Sequence, residues 1–513
     1  MQELNNSSSE SAQKFRNLQT ELRERWRAIE EFDGGDCDII IIPSLSLDQQ
    51  EMQKVEGAYH YEERHLFSLI RLRNPRTRLI YITSEPLHPM IVDYYLQLLP
   101  GIPFSHARDR LVLFSAYDAS AKSLTQKILD RPRLMERIRQ AARPTKSYMV
   151  CYNSTPLERE LSVQLGIPLW ASDPDLLYWG TKSGSRQIFK ECGVPYPDGS
   201  ELVWNAEDLA EAAAELWARQ PHLQRIVIKL NEGFSGEGNA ILDLKSLAGK
   251  APTERAKAIG EHFHNLRFQA TGETWENFSS RIPELGAIAE AFIEGEEKFS
   301  PSVQGRIVPS GEVEILSTHD QILGGPDGQI FLGCQFPADE SYRIALQELG
   351  WKVGKNLAEK GALERFGVDF LAVRQSDGNW DMQAIEINLR KGGTTHPFMA
   401  LKLLTNGRYD RTTGLFYSLQ GRPKYYVASD NLKKERYRGL LPNDLMDIIA
   451  DNQLHFDSGT ETGSVFHLMG CLSEFGKLGV TSIGNSPQEA EDMYNKVVKV
   501  LDRETSGDLR FEI

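Results

Sequence analysis

The segment GVDFLAVRQSDGNWDMQAIEINLRKGGTTHP, residues 367–397, constrains the fold more than any other stretch of the chain. Two β-rich runs flank Asp377-Gly378, a dipeptide that favours a two-residue hairpin turn. Reflection about that pair sets Asp369 across from Glu386, each eight positions from the turn. Their Cβ atoms would then lie about 5 Å apart, with Asn388 on the same face as Glu386. Two carboxylates and an amide on one patch of sheet are costly unless a cation lies between them, because like charges that close push one pKa upward. All-oxygen ligation suits a hard ion such as Mg²⁺, with Mn²⁺ as the alternative, and nucleotide phosphates can complete its shell. A solvated edge hairpin with incidental acids is the competing reading of the hairpin alone. Arg390 and Gly392-Gly393 follow at once and weigh against it, since an anion site beside a metal needs a cation and bare backbone.

A second constellation is Ile228-Lys229-Leu-Asn-Glu-Gly233-Phe-Ser235-Gly236-Glu-Gly238. A strand ending in lysine opens into a loop with three glycines, which let backbone N–H groups approach phosphate oxygens. Neither a P-loop nor a dinucleotide G-x-G-x-x-G fingerprint is present. A glycine-rich hairpin with no ligand is an equal reading of this loop alone. Lys182, beside Ser183-Gly184-Ser185, is a weaker candidate, because a lone lysine is more often a solvated one.

The rest of the chain supplies the frame. Apolar positions Phe15, Leu18, Leu22, Trp26 and Ile29 form one helical stripe that Gly34-Gly35 should end. This helix packs on its own domain or, alternatively, makes a homodimer contact. Strands at 39–42, 78–83, 111–114 and 147–152 alternate with helices at 61–72, 91–99, 134–142 and 157–165, which predicts a mostly parallel, doubly covered sheet. Helices are expected after residue 181, after the Asn205 cap and over 342–360, and strands at 225–229, 287–293, 312–316 and 329–332. At about 150 residues per domain, 513 residues suggest roughly three domains. The formal charge of −14 argues against a nucleic-acid partner. Apolar runs fall far short of the roughly 20 residues of a membrane helix. With no apolar signal core and five dispersed cysteines, the expected location is cytoplasmic.

Taken in order, these features resemble the ATP-grasp superfamily: a lysine before a helix, a strand-lysine with a glycine loop, AEAFIEGEE, then D…E-x-N-x-R with glycines. In that family two α+β subdomains clamp ATP between antiparallel sheets, behind a preceding α/β domain. The resemblance implies that Lys182 and Lys229 reach the nucleotide and that Gly233, Ser235, Gly236 and Gly238 lie over the phosphates. It likewise implies an adenine hinge at Glu290, Ala291, Phe292 and Ile293, and metal ligation by Asp369, Glu386 and Asn388. Arg390 would hold the reacting phosphate. Glu297 is the choice for the ribose, with Glu294 and Glu296 close by and surface charge as the alternative. The runs IIPSLSL, NLRKGGTTHPF and GSVFHLMGCLSEFGKLGVTSIGNSPQEAE are similar to peptide ligases of the pheganomycin type.

The fold class this implies is α/β and α+β: a helical arm at 1–36, a mostly parallel pre-ATP-grasp domain at 37–180, the ATP-grasp module at 181–410, and a small C-terminal α+β domain at 411–513. The activity implied is an ADP-forming carboxylate–amine ligase acting on a small-molecule acid and an amine through an acyl phosphate. A thiol ligase, a small-molecule kinase and a non-catalytic ATP-binding regulator are the alternatives. Gly392, Gly393 and His396 are candidate substrate contacts. His319, His467, Cys334 and Cys471 read as structural.

Overall fold

Four consecutive isoleucines, Ile39–Ile42, need apolar cover on both sides, because successive side chains of a strand point to opposite faces. The computed structural model, which describes residues 2–29, 35–46, 55–99, 101–232, 238–270, 272–325 and 328–506, provides that cover. Strands β1 (Asp38–Ile42), β2 (Arg78–Thr83), β3 (Leu111–Ser115) and β4 (Ser147–Cys151) form a parallel sheet in the order β3-β2-β1-β4. Ile39 and Ile41 enter one core with Leu79 and Tyr81, while Ile40 and Ile42 enter another with Ile80 and Ile82. The N-terminal helix Gln2–Ile29 packs on this second face through Phe15, and Gln19 Nε2 donates to the Ala171 carbonyl (3.2 Å). Its stripe therefore faces its own chain at Phe15 and Leu22. The Trp26 and Ile29 side chains and the Gly34 stop lie outside the described residues.

The expected 61–72 helix is Ala58–Arg73, wound as a 3₁₀ helix. At three residues per turn it carries Glu62, Glu63, Arg64 and His65, all buried, into the junction with the C-terminal part of the chain. Glu63 accepts from the Gly470 N–H (3.1 Å), and Arg64 reaches Asp430 (3.1 Å).

A small antiparallel sheet follows, ordered β7-β6-β5-β8: β5 (Arg225–Leu230), β6 (Asn239–Asp243), β7 (Arg267–Phe268) and β8 (Ala287–Ala291). Leu209 and Leu216 of helix Ala206–Arg219, and Phe278 and Ile282 of helix Trp275–Leu285, back it with one core. The larger sheet holds β9 (Lys298–Phe299), β10 (Pro301–Ile307), β11 (Val313–Gly324), β12 (Ile330–Phe336), β13 (Glu364–Arg374) and β14 (Trp380–Asn388). It continues through β15 (Arg408–Asp410), β16 (Leu415–Tyr417), β17 (Pro423–Lys433), β18 (Gly463–His467) and β19 (Lys477–Gly484). Its order runs β14-β13-β10-β11-β12-β17-β16-β15, with β19 on β17 and β18 on β19. The C-terminal α+β segment thus extends the central sheet, covered by helix Pro487–Glu504.

The β13–β14 hairpin pairs Asp369 with Glu386, by a route the sequence did not indicate. The turn has three residues, Ser376 to Gly378, closed by Gln375 N–H to the Asn379 carbonyl (2.8 Å) and finished by Gly378 at φ 86°. That shifts the ladder by one position, so Phe370 faces Ala384. A β-bulge at Ile385 then restores the offset. The bulge also exchanges faces. Met382 and Ala384 point into the core under helix Arg343–Glu359, and strict alternation would send Glu386 there too. Instead Ile387 takes the core position, while Glu386 and Asn388 face the cleft between the sheets.

Candidate active site

The cleft between the small and large sheets encloses about 840 Å³. From the small sheet come Lys229, at the end of β5, and Glu290, Ala291, Phe292 and Ile293 at the end of β8. From the large sheet come Asp369, Glu386 and Asn388, followed by Arg390, Gly392 and Gly393 in the exit of β14. These residues are distant in sequence because antiparallel sheets from two subdomains must meet to form the cleft.

Lys182 is the first residue of helix Lys182–Cys192, whose N-terminus is capped by the Thr181 hydroxyl accepting from Gly184 N–H (3.1 Å). Gly184 is required there: a Cβ would meet the Tyr178 carbonyl oxygen at 1.9 Å. The Lys182 backbone N–H donates to Asn231 O at the end of β5 (3.1 Å), and Ser185 Oγ accepts from Ile387 N–H in β14 (2.9 Å). One helix therefore ties both sheets. Lys182 is buried, not solvated, and its ammonium pairs with Glu386 (2.7 Å).

Lys229 is 5% exposed and donates to Glu290, which also meets Arg186 (3.1 Å). The carboxylate lies between two cations. The Phe292 ring carries Arg225 on its face (3.8 Å to the centroid) and Lys298 at 4.7 Å. Asp369 accepts from Gln321 Nε2 on one oxygen (2.7 Å) and from Asn388 Nδ2 on the other (2.8 Å), which leaves the Asn388 amide oxygen for a cation. Burial, and then the facing Glu386, push the Asp369 carboxyl up to about 7. A divalent ion between the two carboxylates removes that penalty, so the donor set fits Mg²⁺ or Mn²⁺.

Two expectations come out differently. Glu297 does not line the cleft: it is half-exposed and pairs with Arg374 (3.3 Å), while Glu294 is held by Arg225 (2.5 Å). The residue of this stretch that does line it is Lys298. His396 turns away from the cleft toward Asp430 (2.9 Å), which His467 also contacts (2.6 Å); burial pulls His396 down to about 4. Burial works against the Asp430 charge, and the two histidines outweigh it, holding that carboxyl well below the usual range. Gly233, Ser235 and Gly236 lie outside the described residues. Gly238 closes the β5–β6 hairpin through its carbonyl, which accepts from Leu230 N–H (2.9 Å).

Sequence reasoning missed Arg186, Gln321 and the wall around Arg64 and Asp430. Arg186, four residues after Lys182, had a signal, since that spacing places both on one helix face. Gln321 and Arg64 had none, because only the tertiary fold brings them to the cleft.

Comparison with known proteins gives a consistent picture. A family described as "IQCH-like, ATP-grasp" matches residues 176–270 and 254–412, and one described as "PGM1 C-terminal domain" matches residues 444–497. The L-propargylglycine–L-glutamate ligase of Streptantibioticus cattleyicolor is 30% identical over 480 residues, covering 91% of this chain and 94% of the relative. The IQ motif-containing protein H of Danio rerio is 24% identical over 420 residues, 74% of this chain but only 39% of that longer protein. Among solved structures, the biotin carboxylase domain of Hydrogenobacter thermophilus 2-oxoglutarate carboxylase superposes with a TM-score of 0.53 (13% identity; 90% of this chain, 89% of that one). The ADP complex of an N5-carboxyaminoimidazole ribonucleotide synthetase gives 0.50 (13% identity; 91% and 97%). Among the described residues no helix is long and apolar enough to cross a membrane.

Proposed function

Given that the chain belongs to the ATP-grasp ligases of the pheganomycin type and is an ATP-dependent ligase forming an amide bond, we propose that it joins two amino acids, or an acid and an amino acid, through an acyl phosphate. The observation that carries this reading is the meeting, in one cleft, of the Asp369–Glu386 cross-strand pair with Lys229. In the reaction, a substrate carboxylate oxygen attacks the γ-phosphorus of ATP, giving the acyl phosphate and ADP. The amine nitrogen then attacks the acyl carbon, phosphate leaves, and a proton is lost from nitrogen.

Each group has a task that its position supports. Lys229 and Lys182 neutralise phosphate charge, Lys229 from the small sheet and Lys182 beside the carboxylate pair. Phe292 and its neighbours Ala291 and Ile293 receive the adenine, and the backbone of Gly392 and Gly393 receives the substrate acid or the phosphoryl group. Glu290 keeps the Lys229 ammonium in place. Arg390 steadies the transferring phosphoryl group. Asp369, Glu386 and Asn388 would hold Mg²⁺, whose chemistry is to neutralise charge on the phosphate oxygens. Positioning and electrostatics suffice for such a transfer, so no protein nucleophile is needed. We keep the division of the chain at 36/37, 180/181 and 410/411.

The test is ADP release from ATP over amino acids singly and in pairs, beginning with L-glutamate and L-propargylglycine, the substrates in the relative's name. Hydroxylamine added in place of the amine should yield the acid's hydroxamate and a matching amount of ADP. A stable phosphorylated hydroxyl compound formed without loss of a carboxylate, or AMP with pyrophosphate, overturns the proposal.

A further inference from the structure

One wall of the cleft is built around a buried guanidinium. Arg64, on the 58–73 helix, is 5% exposed and lines the cavity. Its guanidinium lies over the rings of Tyr61 and Tyr152, 4.4 and 4.9 Å from their centroids. Nη1 meets Asp430 Oδ2 at 3.1 Å. Asp430 is fully engaged, because its other oxygen is shared by His396 and His467. The remaining edge of the guanidinium, Nε and Nη2, has no hydrogen-bond partner among the described residues.

Buried donors left unpaired are costly, and where they line a cavity a bound ligand or water completes them. Two more line the same cavity. Ser302 Oγ and Gln304 Nε2, on β10, are each 4% exposed and also lack a partner among the described residues. All three offer N–H or O–H groups. Nε and Nη2 form the side of the guanidinium that grips both oxygens of a carboxylate. The position is close to the chemistry, since the Tyr152 carbonyl accepts from the N–H of Lys391, the residue after Arg390 (3.1 Å).

We propose that Arg64, with Ser302 and Gln304, binds the unreacted carboxylate of an amino-acid substrate, so that the enzyme selects free amino acids over their amides and amines. The inference rests on the ligase reading and specifies the substrate class for the same cleft. The Arg64–Asp430 pair fixes the guanidinium end-on and leaves its side edge for the substrate. The helix bearing Arg64 thus makes the N-terminal part of the chain a wall of the substrate site.

The experiment is equilibrium binding to the full chain, measured by calorimetry without turnover, using the proteinogenic L-amino acids and their α-carboxamides as probes. At least one amino acid should bind, and its carboxamide should bind more weakly. Arg64→Gln should weaken that amino acid by about 10- to 150-fold, the range for a lost charge-assisted contact, and leave its carboxamide and ATP within twofold. Arg64→Lys, which keeps a charge for Asp430 but lacks the fork, should lose only part. Unchanged ATP affinity also shows that the variants fold. The inference is overturned if no amino acid binds, if acid and carboxamide weaken equally, or if Arg64→Gln binds the amino acid normally. Loss of ATP affinity instead would place the guanidinium on nucleotide phosphate and equally overturn it. If ADP forms with an acid and amine but Arg64 has no effect, only the clamp fails. If amino acids bind through Arg64 yet no ADP ever forms, only the ligase reading fails.

Discussion

Replacing Lys229 by methionine keeps the apolar stem and removes the ammonium. The side chain is buried against Glu290, so a contact between it and a bound phosphate would be shielded from water. A charge-assisted hydrogen bond of this kind contributes about 1.5–3 kcal/mol. At about 1.4 kcal/mol per tenfold, the dissociation constant for ATP should rise by roughly 10- to 150-fold. Glu290 adds to the loss: Arg186 still holds one of its oxygens at 3.1 Å, but the other loses its ammonium partner. The double variant Lys229→Met/Glu290→Gln separates these contributions, because it removes the unpaired charge without restoring a cation. Calorimetric titration with ATP should show the double variant recovering only part of the affinity, and its thermal unfolding should be restored toward wild type. An affinity within twofold of wild type for Lys229→Met alone, or full recovery in the double variant, refutes the assignment of Lys229 to the nucleotide.

Glu386→Gln can still accept the Lys182 hydrogen bond (2.7 Å in wild type) but supplies no anionic ligand, so ADP formation should fall at least about 100-fold while ligand-free melting changes little; loss of stability with full turnover per folded molecule would make Glu386 structural. His319 is buried beside the Tyr426 hydroxyl (2.6 Å), and burial lowers it from 6.5 to about 3. The unfolded chain therefore takes up a proton below pH 6.5 that the folded chain refuses, and stability falls as pH drops from 6.5 toward 3. Urea unfolding should show wild type losing about 1.4 kcal/mol more than His319→Gln between pH 7.5 and 5.5, and equal losses would count against a neutral, buried His319.

The elements were legible where local pattern decides them. The four parallel strands, the Asn205 cap and the helix stop at Gly193 follow from alternation, capping and a left-handed glycine (φ 64°). The pairing of Asp369 with Glu386 was legible only because two unread features cancel, the third turn residue and the bulge at Ile385. Neither leaves a mark in hydrophobic periodicity, since Ile385 is as good a strand residue as its neighbours. The burial of Lys182 was unreadable for another reason: its partner Glu386 lies 204 positions away. The wall formed by Arg64, Ser302 and Gln304 joins a 3₁₀ helix of the first domain to a strand of the second, and no spacing in the sequence encodes that meeting. Glu297 went astray because several glutamates follow one another after β8, and only the fold shows that Arg225 and Arg374 occupy two of them.

The acyl phosphate is the step on which the proposed reaction depends, and an isotope tests it directly. With both carboxylate oxygens of the acid labelled with ¹⁸O, the oxygen that attacks the γ-phosphorus leaves with phosphate when the amine displaces it. Mass spectrometry of the products should therefore find one ¹⁸O in the inorganic phosphate and one in the amide for every ADP released. Label in AMP, or unlabelled phosphate beside a labelled amide, would contradict it.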